Sequence, residues 1–152
     1  MWILLIPVIL CSHAVYCDVR DREIPDSIPL RLLISGVLAT GLSWHDLSWT
    51  ESLLGVALAF VLTVPFTLSE GVGGGGLKLL SGLGAWLGPV SVLSLLFWTA
   101  IAGVFSAIIA QARHKKDFPY APAIGVGLLV AILFPSAFST TIDAIRSVLY
   151  SA

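Results

Sequence analysis

The chain has 152 residues, of which 57% are hydrophobic and only 11% are charged, and its mean hydropathy is +0.98. A soluble domain carries about 25% charged residues. The composition therefore excludes a disordered chain, a basic nucleic-acid-binding face and an ordinary cytosolic enzyme, and indicates one polytopic membrane domain over residues 1–152. The net charge of −1 says nothing of partners, because charges act by position in such a chain.

In chain order, the apolar runs are 2–17, 28–43, 53–69, 77–112 and 120–134, with a weaker, more polar segment at 140–150. The run 77–112 would measure about 54 Å as one helix, against a hydrocarbon core of about 30 Å. Gly88-Pro89 lies inside it and predicts a break, leaving a short helix over 77–87 and a long one over 90–112. The expected fold is all-α: a polytopic bundle of about six transmembrane helices.

Arg20, Arg22 and Arg31 follow the first run, Lys78 the third, and Arg113, Lys115 and Lys116 the fifth. Arg146 in the tail is the exception. The turns between these places, Trp44 to Glu51 and Gly88-Pro89, carry no Lys or Arg, so the basic segments are expected on the cytoplasmic side and the N-terminus outside. The first run has no basic residue before it and no small-residue cleavage site, so it reads as a retained anchor. Cys11 and Cys17 lack metal or redox spacing and read as apolar fillers. His13, His45 and His114 are scattered and form no metal set.

The polar interest falls in three places. Asp18 ends an apolar helix just before the arginines, and a carboxylate at that depth faces a bundle interior or a wet cavity. Pairing with Arg20 or Arg22 is the simplest reading of it. Asp21, Glu23 and Asp26 read as solvated loop charges, with Asp26 also a possible cap of the second helix. The tract 71–76 fits neither a dinucleotide fold nor a phosphate loop. No strand precedes it, and Lys78 is misplaced with no Ser or Thr after it. It reads as a flexible loop leading into a short helix, its glycines permitting close backbone approach. The third place is Pro119-Tyr120-Ala121-Pro122-Ala123-Ile124.

Taken together, these blocks resemble the type IV prepilin peptidase family, most of all its short members serving tight-adherence and Flp-type pili. Asp18 to Pro25 matches an Asp, a basic stretch and Ile-Pro. Gly73-Gly74-Gly75-Gly76-Leu77-Lys78 matches a Gly-x-Gly-Asp-x-Lys block, and Pro119 to Ile124 matches a Pro-Tyr-Ala-Pro-Ala-Ile block. The resemblance implies an intramembrane-type aspartic peptidase scaffold. Its enzyme would cut a basic leader from prepilins at the cytoplasmic face of a bacterial or archaeal inner membrane, with no cofactor and no metal. Asp18 is then one catalytic carboxylate. Gly76 stands where the second Asp belongs, so a strongly impaired or inactive enzyme is expected. Gly73, Gly75, Lys78 and Pro122 would shape the site. Glu70 is the nearest substitute acid. For Lys78, charge balance and snorkelling to the interface both stay open. No methyltransferase or zinc domain is expected. The expected partners are a prepilin and the lipid bilayer, not nucleic acid. Two alternatives compete: a non-catalytic membrane protein that binds pilin-like helices as an assembly factor, and a small transporter using Asp18 and Lys78.

Overall fold

The computed structural model describes residues 4–44, 47–68, 73–112 and 120–134. These form five helices: α1 (Leu5–Asp21), α2 (Ser27–Gly41), α3 (Trp49–Leu68), α4 (Gly74–Ala112) and α5 (Ala121–Leu133). No strand occurs among the described residues. The expected segment 140–150 lies outside them, as do Glu70, His45 and His114.

Helix α3 and the stretch Gly74–Ile109 of α4 are long and apolar enough to cross a membrane, while α2 and α5 are shorter apolar helices. Large apolar side chains cover the outside as well as the core. Phe60, Val61 and Phe66 of α3, and Val104, Phe105 and Ile108 of α4, are all exposed. In water such an exterior would aggregate; against lipid tails it carries no penalty.

Helix α4 is central and packs against all four others. Its Leu79, Leu80, Leu83 and Trp86 meet Ile28 and Leu32 of α2, Cys11 and Ala14 of α1, and Ile124 and Leu128 of α5 in one buried core. Trp86 is 2% exposed and donates its indole N–H to the Leu32 carbonyl at 3.0 Å, so its one polar atom is satisfied inside the core. Small residues let backbones meet. Gly55 of α3 and Gly84 of α4 lie so close that a Cβ on either would meet the other's carbonyl oxygen. Ser52 Oγ donates to the Ala85 carbonyl at 3.0 Å beside this contact.

The break expected at Gly88-Pro89 is present. Gly88 has φ 70° and ψ 178°, outside the helical region, so α4 is two helical stretches joined at a kink. Gly88 reaches a conformation nearly closed to other residues, and Pro89 removes a backbone donor.

The glycine tract departs from expectation. It is not a loop throughout: Gly74, Gly75 and Gly76 are the first turn of α4. Gly76 and Leu77 donate their N–H groups to the Gly73 carbonyl at 2.9 and 3.2 Å. Glycine's low helix propensity costs about 1 kcal/mol per residue. Packing of the following apolar turns on α2 and α5 outweighs that local preference.

Candidate active site

Asp18 lies in the last turn of α1 and is only 8% exposed. A helix C-terminus presents carbonyl oxygens and partial negative charge, a poor place for a carboxylate. The compensation comes from α5. Ala121, its first residue, donates its backbone N–H to Asp18 Oδ2 at 2.8 Å. The N-cap residue of α5 is Tyr120, which makes no side-chain cap bond, and the first turn has no acidic residue. Ala121 therefore exposes an orphan donor that Asp18 satisfies, and Pro122 beside it has no N–H to leave unpaired. Of the two arginines expected as candidate partners of Asp18, Arg20 lies 3.8 Å from Asp21 and donates to Tyr16 Oη at 3.2 Å.

Helix α1 stops at Arg22, which adopts a left-handed conformation (φ 60°, ψ 20°) and bonds back to the Asp18 carbonyl at 3.1 Å. The chain reverses there and enters α2 through Glu23-Ile24-Pro25. This turn lays Ile24 on the start of α4: a Cβ at Gly75 would sit 3.0 Å from the Ile24 Cβ. Gly75 is thus a position of close approach, whereas Gly73 and Gly74 face open space.

Between the α1–α2 turn and the glycine turn lies a polar cavity of about 590 Å³, lined by Asp18, Glu23, Asp26, Gly73, Gly74 and Gly75 among others. Gly76 follows directly and is buried. Asp26 occupies the N-cap position of α2 but makes no cap bond, contrary to the expected capping role. Its carboxylate accepts from Lys78 Nζ at 2.7 Å instead. That exposed pair ties the start of α2 to the start of α4. A second, apolar cleft of about 300 Å³ runs between α1 and α5, lined by Val8, Ser12, Val15, Pro122, Val126 and Leu129 among others. Of its lining residues, Val15 is one turn before Asp18 along α1 and Pro122 directly follows Ala121 in α5.

The described residues hold no group of three or more His, Cys, Asp or Glu side chains suited to a metal ion. Cys11 and Cys17 are free thiols on α1, the first buried and the second half-buried. The structure thus gathers Asp18, Gly73 and Gly75 around one cavity, with Lys78 tied to its rim and Pro122 in the adjoining cleft. Sequence reasoning missed the Ala121 N–H. Its signal was a helix start without a Ser, Thr, Asp or Asn of its own, which calls for a cap from elsewhere.

Residues 4–108 match the family model described as the type IV leader peptidase family. The chain is similar to the prepilin leader peptidase/N-methyltransferase of Bacillus subtilis, 32% identical over 123 residues, covering 77% of this chain and 49% of that protein. It is 27% identical over 135 residues to the protein of the same name from Neisseria gonorrhoeae, covering 82% of this chain and 47% of the relative. For that of Burkholderia pseudomallei (strain K96243) the identity is 29% over 132 residues, covering 80% and 42%. The chain thus spans less than half the length of these curated relatives. No solved structure matches it. The family match covers well over half of the chain and contains both Asp18 and the glycine turn, and on that ground the chain belongs to the type IV leader peptidase family.

Proposed function

We propose that this chain is a multi-pass membrane peptidase unit whose active site faces the cytoplasm, built to remove the basic leader of type IV or Flp-type prepilins. The observation that carries this reading is the buried Asp18 carboxylate, held by the start of α5 at the edge of a polar cavity whose other wall is the glycine turn. In an aspartic pair, two nearby carboxylates cannot both ionise easily, so one acts as base towards water and the other as acid. Gly76 stands in the place of the second carboxylate. With Gly76, nothing at that position protonates the leaving amine or polarises the peptide carbonyl, and a loss of at least about 1,000-fold is expected, since groups that act as a unit fail together. The cleft between α1 and α5 supports an apolar substrate segment entering from the bilayer beside Pro122.

The test is cleavage of a prepilin panel in proteoliposomes by the Gly76 chain and its Gly76→Asp variant side by side. Cleavage by the variant alone, abolished again by Asp18→Asn, is the expected result. Cleavage that survives Asp18→Asn sinks the assignment. If the Gly76 chain itself cuts, Glu70 is the first residue to replace.

A second reading is favoured by one observation: the site is otherwise assembled around a glycine. The chain would then bind pilin-like helices without cutting them, as an assembly factor. Capture of uncleaved prepilin by the Gly76 chain supports it; no capture, with cleavage by Gly76→Asp, removes it.

A further inference from the structure

The bond from Ala121 to Asp18 depends on where α5 sits along its own axis. A slide of one residue moves the donor by about 1.5 Å, enough to break a bond of 2.8 Å. Two contacts with α4 oppose that slide. At the start of α5, the Tyr120 ring lies on Gly103: a Cβ there would sit 2.8 Å from Tyr120 Cε2 and 3.1 Å from its Oη. Two turns further along α5, Gly127 lies on the α4 backbone. A Cβ at Gly127 would overlap Thr99 Oγ1 and sit 2.9 Å from both the Leu95 carbonyl oxygen and the Thr99 nitrogen.

Thr99 is 2% exposed, and its Oγ1 has no hydrogen-bond partner. A buried hydroxyl without a partner is costly and calls for an explanation. Its place against Gly127 supplies one: the side chain acts by shape, as a wedge that stops α5. On another side of α5, Gly125 meets Val15 of α1, one turn before Asp18: a Cβ at Gly125 would sit 3.2 Å from Val15 Cγ2.

We infer that Tyr120 on Gly103 and Thr99 on Gly127 form a register lock between α4 and α5, and that these four are positioning residues for the Asp18 carboxylate. None of them touches the cavity that holds Asp18. They act through Ala121. The catalytic side of this inference rests on the peptidase reading; the positioning side does not.

The experiment measures hydrogen exchange at the Ala121 amide by NMR, on the full chain in micelles, corrected for intrinsic rates. Asp18→Ala sets the scale for a lost bond, with exchange faster by about tenfold or more. Gly103→Ala and Gly127→Ala are expected to speed Ala121 to a similar degree while the Leu32 amide keeps its protection. Adding Thr99→Ala to Gly127→Ala is expected to recover part of it. Ala121 protected as in the parent chain in both glycine variants overturns the inference. If both variants lose Leu32 protection and are unfolded, Thr99→Ala alone decides, because it removes the wedge without adding bulk. Faster Ala121 exchange then supports the lock, and unchanged exchange overturns it. In the Gly76→Asp background, Gly103→Ala is expected to lower kcat by about tenfold or more and to leave KM unchanged. If that background cuts nothing, the peptidase reading fails while the exchange result still judges the lock.

Discussion

Ala121 donates its backbone N–H to the Asp18 carboxylate across 103 positions of chain, at 2.8 Å. The last turn of α1 and the first turn of α5 thereby answer each other. One offers a carboxylate where its own helix disfavours charge, and the other offers a donor that its own sequence does not cap. Asp18 consequently has a structural task that is separate from any chemistry it performs.

That task predicts a stability difference between two substitutions. Asp18→Ala leaves the Ala121 donor buried without a partner and is expected to cost about 1–3 kcal/mol. Asp18→Asn keeps an amide oxygen that can accept the same bond and is expected to cost clearly less. Reversible unfolding in mixed micelles measures both. Equal stability of Asp18→Ala and the parent chain would remove the capping argument. The comparison also governs activity assays, where Asp18→Asn is the cleaner probe of catalysis.

The pair Lys78–Asp26 has the shorter separation, 2.7 Å, yet its side chains are 53% and 75% exposed. Water and salt screen such a pair, and exposed pairs contribute about 0–1 kcal/mol. Lys78→Ala and Asp26→Ala are each expected to change stability by less than about 1 kcal/mol, with the difference shrinking at high salt. A loss of twice that size, shared by both variants and insensitive to salt, would show that the pair fixes the start of α4 rather than decorating it.

Part of this site could be read from the chain. The apolar runs and Gly88-Pro89 foretell the helices and the kink in α4, because length against bilayer thickness and proline's missing donor act locally. Asp18 stands out because a carboxylate at a helix end in an apolar chain is costly. Other features are not local. Nothing near Asp18 in sequence announces the Ala121 amide. Asp26 precedes a helix and looks like a cap, but Lys78, 52 residues on, takes its carboxylate instead. The glycines at 74–76 read as a loop by propensity, and tertiary packing makes them helical.

Trp86 tests the core. Its indole N–H reaches the Leu32 carbonyl at 3.0 Å and lies 3.3 Å from Ser35 Oγ. Leu32 O also accepts from Ser35 Oγ at 3.1 Å, so it keeps a partner when the indole is gone. The penalty of Trp86→Phe should then come mainly from lost volume, about 1–3 kcal/mol. Trp86→Ala should cost more, about 3–5 kcal/mol. Near-equal losses for the two variants, in the same unfolding assay, would mean that the hydrogen bond dominates and that volume does not.

Gly88 separates backbone strain from crowding. A Cβ at this position would sit 2.8 and 3.7 Å from the two Leu47 Cδ atoms and 3.9 Å from the Glu51 carbonyl oxygen. Leu47 Cδ2 is the end of a flexible side chain and can move aside. The φ of 70° with ψ of 178° cannot be relieved so easily, because Gly55 of α3 lies against the Gly88 backbone, where a Cβ on Gly55 would sit 3.0 Å from Gly88 Cα. Residues held in such regions cost about 1–3 kcal/mol, so Gly88→Ala is expected to destabilise by about 2 kcal/mol. Truncating Leu47 to Ala in the same chain should restore little of that. Full recovery in the double variant would show that crowding by Leu47, and not the left-handed backbone, is what reserves this position for glycine. Pro89→Ala is expected to have the smaller effect. It returns an N–H to the chain and lifts the ring's bias of residue 88 away from the helical region, but Gly88 still permits the positive φ that the kink uses.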